Sequence, residues 1–166
     1  IILSHLGRVK TEEDKKNASL LPIKKSLERL LNKPIKFATD ILSEETKNMA
    51  LSLQSGKILL LENTRFLDVP NKLESTLNDD VAKQIASFGE LFVFDAFAVA
   101  HRRHTTVVGI PAYLPSCLGF LAEKELSMLD ITIKNPNKPF TVIMGGAKVD
   151  DKLKIIKSLL PKCDHL

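Results

Sequence analysis

Aromatic residues are scarce in this chain of 166 residues, which contains no tryptophan and a single tyrosine. Proteins that bind single-stranded nucleic acid stack bases on aromatic side chains, so this scarcity argues against that class. No apolar run approaches the roughly 20 residues that a membrane-spanning helix needs. The opening residues, IILSHLGRVK, are not typical of a secretory signal peptide. They resemble a strand already under way, so we expect the chain to be a fragment of a longer protein.

Cysteine is also rare, since only Cys117 and Cys163 are present and they show neither CxxC spacing nor a disulfide pattern. This usage suits a reducing cytoplasm. Hydrophobic residues at 44% and charged residues at 27% are ordinary for a soluble globular protein. The net charge of +4 suits an anionic partner without specifying which one.

Short apolar runs alternate with helical patterns along the whole chain. Continuously apolar runs of this length are typical of strands covered on both faces, as in a parallel sheet. The predicted strands are Ile1–Ser4, Ile35–Ala38, Lys57–Glu62, Leu91–Asp95 and Phe140–Met144. Helices are predicted to begin near Ser19, Ser43, Asn78 or Asp80, Leu118 and Asp150. The alternation predicts an α/β fold with helices on both faces of an open sheet. The charge run Lys10–Asn17 is predicted to be a solvated loop.

Basic side chains follow four of the five predicted strands. In open parallel sheets, ligands bind beyond the carboxyl ends of the strands. Arginine forks match the oxygens of phosphates and carboxylates, so several of them together would hold a small, highly charged anion rather than a long polymer. The residues concerned are His5 and Arg8, then Arg65, then His101, Arg102, Arg103 and His104, and finally Lys148 and Lys152.

Two of these motifs have other interpretations. His101 and His104 have the spacing of ligands on one helical face, but the two arginines between them and the absence of a nearby Cys or Glu disfavour a metal site. Gly145 and Gly146 could simply mark a tight turn from strand to helix, and the segment lacks the GxxxxGK[ST] pattern of a P-loop. In a functional interpretation, the glycine amides and the following helix N-terminus receive phosphate oxygens while Lys148 and Lys152 add charge.

Taken in order, the segments LSHLGR, LLENTRF, DAFAVAHRRH, FLAEKEL and MGGAKVDDK resemble the successive signatures of the phosphoglycerate kinase family. The resemblance spans essentially the whole chain. It implies a hinge-bending kinase of two domains, and here a Rossmann-like three-layer αβα open parallel sheet that is incomplete, with the first βα unit of a second, similar domain. Residues 1–118 would form the acceptor domain without its first strand, 119–136 the interdomain helix, and 137–166 the start of the nucleotide domain.

The same resemblance implies roles for individual residues. The substrate-binding set would be His5, Leu6, Gly7, Arg8, Arg65, His101, Arg102 and His104. The nucleotide-binding set would be Gly145, Gly146, Ala147, Lys148 and Lys152, with Lys148 and Arg102 catalytic. The implied reaction is reversible phosphoryl transfer between 1,3-bisphosphoglycerate and ADP, giving 3-phosphoglycerate and ATP. Mg²⁺ would accompany the nucleotide, with its ligands outside this chain. We expect a cytoplasmic monomer that binds these small molecules and neither nucleic acid nor membrane.

The chain departs from the family motif NDAFGTAHRAH at Phe94, Ala98, Val99 and Arg103. Ala98 and Val99 motivate an alternative, a catalytically dead relative that keeps the anion cradle and acts as a binding module. A third interpretation, non-specific nucleic-acid binding, is disfavoured because the charge lies at loops and stacking aromatics are few. Because the family's first strand and the adenine and metal half of its second domain are missing, we expect the isolated fragment to be inactive.

Overall fold

A computed structural model describes residues 1–145 and 150–166 of the chain, with the side chains of 150–152 and 154 outside the description. The chain divides into two compact units, Ile1–Cys117 and Leu118–Leu166. The first unit contains most of the strand residues and most of the sequence-predicted site residues.

The centre of the first unit is a pair of parallel strands, Ile35–Ala38 (β1) and Ile58–Leu61 (β2). Their register aligns Ile35 with Ile58 and Ala38 with Leu61. The segment before them adds a single parallel bridge at Ile2, whose amide donates to the Leu59 carbonyl over 2.8 Å. Apolar side chains on both faces explain this arrangement, because the side chains of Leu59, Leu60 and Leu61 are all buried.

A second sheet pairs Phe92–Phe94 (β3) with Ser116–Leu118 (β4). The α/β class is therefore confirmed, but the sheet is divided into two pairs. Within the described residues no backbone hydrogen bond joins Ile1–Ser4 to β3. The edges of both segments line one cavity instead.

Four helices belong to the first unit: Glu12–Asn17 (α1), Leu21–Leu31 (α2), Glu44–Leu51 (α3) and Asp79–Ala86 (α4). Ser43 caps α3, as predicted, and Asn78, one of the two predicted starting points, caps α4. Each side chain accepts a hydrogen bond from the amide three residues on. Ser19 does not occupy the cap position of α2, which begins one residue later than a Ser19 cap implies. Its hydroxyl accepts a 3.1 Å hydrogen bond from the Leu21 amide.

The prediction of a loop over Lys10–Asn17 is wrong, because this segment contains α1. Thr11 and Asp14 form a capping box, in which each side chain accepts a hydrogen bond from the other's amide. Acidic residues fill the first turn and lysines the last, which complements the helix dipole. These local interactions support a short helix without a buried apolar face, so the segment is solvated as expected but not irregular.

Tight helical turns lie at or near Arg65 and residues 101–104: 3₁₀ turns at Thr64–Asp68, Phe97–Val99 and Ile110–Ala112, and a π turn at Thr105–Gly109. The π turn packs closely against α4, since a Cβ built at Gly109 would lie 2.7 Å from the Ala82 Cβ. Beneath these turns, Leu59, Val81, Ile85 and Ile110 belong to one buried apolar cluster. The site residues are thus supported by a packed core.

The second unit contains the helices Phe120–Lys134 (α5) and Asp150–Leu159 (α6). The predicted strand Phe140–Met144 is reduced to a single parallel bridge between Thr141 and His165. Asp164 supports this bridge by accepting hydrogen bonds from the Phe140 amide and the Lys138 ammonium. Across the described part of the chain, no helix has the length and apolar character to span a bilayer.

Candidate functional site

A cavity of about 1110 Å³ lies in the first unit, between the segment Ile1–His5 and the segment Leu91–Ala96. Much of its wall is apolar. Its polar side chains include groups from five separate stretches of the chain: His5, Thr64 with Arg65, Glu74, Asp95, and His104 with Thr106. Residues distant in sequence therefore converge at the ends of the strands, where an open α/β sheet places its ligands.

The loop that carries His5 is attached to the end of β2 by Asn63. The Asn63 amide group is fully buried and donates to the carbonyl oxygens of Leu6 and Ala18, over 2.9 and 2.8 Å. The Thr64 amide donates to the Ser4 carbonyl over 3.1 Å. Both donors of the Asn63 side chain are thus used to hold two other segments against the strand end.

Glu62, the residue before Asn63, is a buried carboxylate whose hydrogen-bond partners are hydroxyl and amide groups. It accepts hydrogen bonds from the Ser19 hydroxyl, the Leu20 amide and the Asn63 amide, over 2.6, 2.7 and 2.7 Å. Three donors offset much of the cost of burying the group. Sequence reasoning missed Glu62 and Asn63, although two polar residues directly after an apolar strand are a signal that could have found them.

Arg65 lies in the 3₁₀ turn Thr64–Asp68, and its guanidinium pairs with the carboxylate of Asp68. The distance from Arg65 Nη1 to Asp68 Oδ2 is 2.9 Å, and the two side chains are only 11% and 9% exposed. Arg65 lines the cavity, whereas Asp68 does not. The pair therefore holds the Arg65 guanidinium at the cavity wall, while the negative charge of Asp68 lies behind the wall.

His104 is buried beside a second acid, Glu74. Its Nδ1 lies 3.6 Å from Glu74 Oε1, and Glu74 accepts hydrogen bonds from the Thr106 hydroxyl and amide over 2.6 and 3.1 Å. Burial, and the nearby Asp68 charge, raise the pKa of Glu74 against the hydrogen bonds from Thr106. Burial lowers the pKa of His104, and the Arg65 and Arg102 charges lower it further.

His5 shows the same electrostatic environment. Burial lowers the pKa of His5, and the charges of Arg65 and Arg102 add to that effect. Two imidazoles of lowered pKa therefore share the field of the same two guanidinium groups. The two guanidinium groups form a cationic cradle, and the two imidazoles beside them are neutral hydrogen-bonding groups. This combination suits the oxygens of a small anion.

The structure brings together only part of the predicted set. His5, Arg65 and His104 line the cavity. Arg102 is not part of the wall, but its charge reaches both imidazoles. Arg8 and His101 are exposed and lie outside the lining, while Leu6 takes part through its carbonyl and Gly7 through its backbone conformation, with φ of 65°.

The predicted nucleotide-binding residues lie elsewhere in the chain. Gly145 is exposed in the second unit. Gly146, Ala147 and Lys148 lie outside the described residues, as does the side chain of Lys152. Among the residues that the structure does describe, no cluster of three His, Cys, Asp or Glu side chains could hold a metal ion.

A family model described as phosphoglycerate kinase matches residues 1–166, the whole chain. The chain belongs to the phosphoglycerate kinase family. Among curated relatives, the phosphoglycerate kinase of Macrococcus caseolyticus is 46% identical over 166 residues and that of Enterococcus faecalis is 44% identical over 167. Both alignments cover 100% of this chain but 42% of the relative, so the chain spans well under half the length of these proteins.

Solved structures of the phosphoglycerate kinase family agree with this assignment. The structure from Coxiella burnetii has a TM-score of 0.82 and 36% identity, over 98% of this chain and 39% of its own. The structure from Pyrococcus horikoshii has a TM-score of 0.79 and 28% identity, over 97% of this chain and 40% of its own. The α/β fold and the resemblance of the signature segments are both confirmed by these matches.

Proposed function

We propose that this chain is the acceptor-binding part of a phosphoglycerate kinase, which transfers a phosphoryl group reversibly between 1,3-bisphosphoglycerate and ADP to give 3-phosphoglycerate and ATP. One observation carries the proposal. His5, Arg65 and His104, from three separate segments, line a single cavity, and the charge of Arg102 lowers the pKa of both imidazoles. A three-carbon acid phosphate carries the dense negative charge that such a cluster selects.

In this proposal, Arg65 and Arg102 neutralise and orient the phosphate and carboxylate of the glycerate, while His5 and His104 supply hydrogen bonds. Each charge-assisted hydrogen bond in a desolvated site contributes about 1.5–3 kcal/mol. Phosphoryl transfer of this kind needs positioning and neutralisation of charge on the moving group, without a covalent enzyme intermediate. The Asn63 contacts and the Asp68 pair supply that positioning from behind the cavity wall.

The remaining assignments extend the same proposal. Residues 1–118 form the acceptor domain, 119–136 the interdomain helix, and 137–166 the beginning of the nucleotide domain, where Lys148 and Lys152 meet ATP or ADP. Mg²⁺, when bound with the nucleotide, would neutralise phosphate charge, and its protein ligands lie outside this chain. The protein is a cytoplasmic monomer of glycolysis that acts on small molecules, and the isolated 166-residue chain does not turn over.

Calorimetric titration of the chain with 3-phosphoglycerate tests the binding step. Arg65→Ala is expected to weaken binding at least about tenfold, whereas Arg29→Ala, which removes an exposed arginine of α2, leaves it within about twofold. The full-length protein that contains this chain is then assayed for turnover with Mg-ATP and 3-phosphoglycerate. Binding without turnover would support a dead relative that acts as an anion-binding module, and equal affinity for 3-phosphoglycerate and DNA would refute the proposal.

A further inference from the structure

The pair Arg65–Asp68 differs from most ion pairs of the chain in being almost completely buried. In each of the other i, i+3 pairs among the described residues, such as Glu44 with Lys47, at least one side chain is 40% exposed or more, against 11% and 9% here. Exposed pairs of that kind contribute about 0–1 kcal/mol because water screens them. A shielded pair at 2.9 Å restricts both side chains to one arrangement.

Asp68 is itself held from behind. Its Oδ1 accepts hydrogen bonds from the amides of Ser75 and Glu74, over 2.7 and 3.2 Å. Further backbone hydrogen bonds close the same loop, from Lys72 to the Asp68 carbonyl and from Leu73 to the Leu67 carbonyl, both over 2.9 Å. The carboxylate cannot rotate without losing its two amide partners, so its Oδ2 remains directed at Arg65.

This arrangement leaves donors of Arg65 free for a ligand. A guanidinium has five N–H groups, and among the described residues its only side-chain hydrogen bond is the one from Nη1 to Asp68. Arg65 lines the cavity and Asp68 does not. The remaining part of the fork is therefore the part available to the cavity. The other titratable residues that line the cavity are His5, Glu74, Glu90, Asp95 and His104.

We propose that Asp68 is a positioning residue that sets the substrate selectivity of the cavity by fixing the orientation of the Arg65 guanidinium. The inference rests on the proposed function and deepens it. A fixed fork can meet one end of a two-ended anion while other groups meet the opposite end. A guanidinium free to rotate still attracts any small anion by its charge, but it cannot keep the spacing that distinguishes 3-phosphoglycerate from inorganic phosphate.

Loss of the Asp68 charge and loss of its orienting role change anion binding in opposite directions, so the two effects can be measured separately. Loss of a negative charge beside the cavity favours every anion, whereas loss of orientation penalises only the ligand that needs the spacing. The measured quantity is therefore the ratio of the dissociation constants of inorganic phosphate and 3-phosphoglycerate, obtained by titration calorimetry of the full 166-residue chain. Thermal melting of each variant verifies folding.

Asp68→Asn keeps an oxygen for the loop amides and is expected to lower this ratio about fivefold. Asp68→Glu keeps the charge but moves it by one methylene, and it is expected to lower the ratio as well. Glu44→Gln, which removes the acid of an exposed i, i+3 pair, leaves the ratio unchanged. In an Arg65→Ala background Asp68→Asn does not change the ratio further, because the two residues orient the ligand as a unit.

Each other outcome overturns the inference. If the ratio of dissociation constants stays constant in Asp68→Asn, or if Asp68→Glu has the same ratio as the unsubstituted chain, Asp68 acts only through its charge. An equal loss in the Arg65→Ala background assigns the effect to the loop and not to Arg65.

If Asp68→Asn does not fold, Arg65→Lys, which keeps the charge but not the fork, carries the same expectation. A chain that never prefers 3-phosphoglycerate to phosphate refutes the proposed function, whereas a preference lost in Arg65→Ala but kept in Asp68→Asn refutes this inference alone.

Discussion

The side-chain amide of Asn63 donates a 2.9 Å hydrogen bond to the backbone carbonyl of Leu6, a residue 57 positions earlier in the chain. The same amide group donates to Ala18, and its oxygen accepts from the Arg65 amide over 3.0 Å. One buried side chain thus connects the His5 loop, the segment before α2 and the turn that carries Arg65. The geometry of the cavity depends on this residue although it does not line the wall.

Replacement of this residue by alanine is the first prediction. Asn63→Ala leaves two carbonyls and one amide without their partner and is expected to lower the free energy of unfolding by about 2–4 kcal/mol. Urea denaturation followed by circular dichroism measures the change. Asn48→Ala, at an exposed position of α3, is the matched control and should stay within about 0.5 kcal/mol. Equal losses in the two variants would contradict the assigned role.

Gly7 gives a second prediction, because its φ of 65° lies in the left-handed region while nothing lies within 4 Å of a Cβ built there. Gly7→Ala should therefore cost about 1–2 kcal/mol through backbone strain and not through steric overlap. Gly89 has equally open surroundings without the left-handed φ. Gly89→Ala should be neutral or stabilising by up to about 1 kcal/mol. A Gly7→Ala variant as stable as Gly89→Ala would show that the loop relaxes.

The third prediction concerns the pH dependence of stability. Burial and then the charges of Arg65 and Arg102 lower the pKa of both His5 and His104. In the window below the ordinary imidazole pKa of about 6.5, the unfolded chain then binds more protons than the folded chain. The stability from these groups is complete above that value and declines as the pH falls through the folded pKa. His104→Gln should flatten this decline in urea midpoints measured between about pH 7.5 and 5.5.

Glu74 should act in the opposite direction, since burial raises its pKa. Its contribution is complete below the ordinary glutamate pKa of about 4.3 and is lost as the pH rises through the folded value. Glu74→Gln should therefore change the pH slope with the opposite sign to His104→Gln. Slopes that change in the same direction in both variants would refute the electrostatic assignment of the pair.

Proton uptake on anion binding is the fourth prediction and rests on the proposed function. An anion in the cavity stabilises the protonated imidazoles, so binding should raise the pKa of His5 and His104 and take up a fraction of a proton. Sulfate is the suitable probe, because its own charge does not change near neutral pH. Titration calorimetry in buffers of different ionisation enthalpy measures the uptake near pH 6.5. A variant with both histidines changed to glutamine should show none, and uptake that persists in it would assign the protons elsewhere.

Local patterns account for the parts of the fold that the sequence predicted well. The strand Ile35–Ala38 has the predicted bounds, and β2 lies within the predicted Lys57–Glu62. The caps at Ser43 and Asn78 are also local features, because each side chain bonds to an amide only three residues further along the chain. The loop prediction over Lys10–Asn17 is wrong because the Thr11 capping box stabilises a helix in a segment whose polarity alone favours a loop.

The interior of the site could not be predicted, because its contacts join residues far apart in sequence. Glu62 and Leu20 are 42 positions apart, and Glu74 and Thr106 are 32 apart. The basic residues after the strands and the family resemblance both indicated His5, Arg65 and His104, which line the cavity. Neither indicated Asn63 or Asp68, which hold the site from behind, or Glu74, which is part of the cavity wall. No periodicity indicates which acid pairs with which base once several occur in adjacent loops.

Glu62 has one further consequence. Its carboxylate accepts hydrogen bonds from the Asn63 amide, at the end of β2, and from the Ser19 hydroxyl and the Leu20 amide, just before α2. If either segment opened alone, the carboxylate would lose part of its hydrogen bonds, so the two segments should open together. Hydrogen exchange at the amides of Leu20 and Asn63 should then report one shared opening event. The strand end and the helix start would unfold as a single cooperative block, so a perturbation at either is transmitted to both.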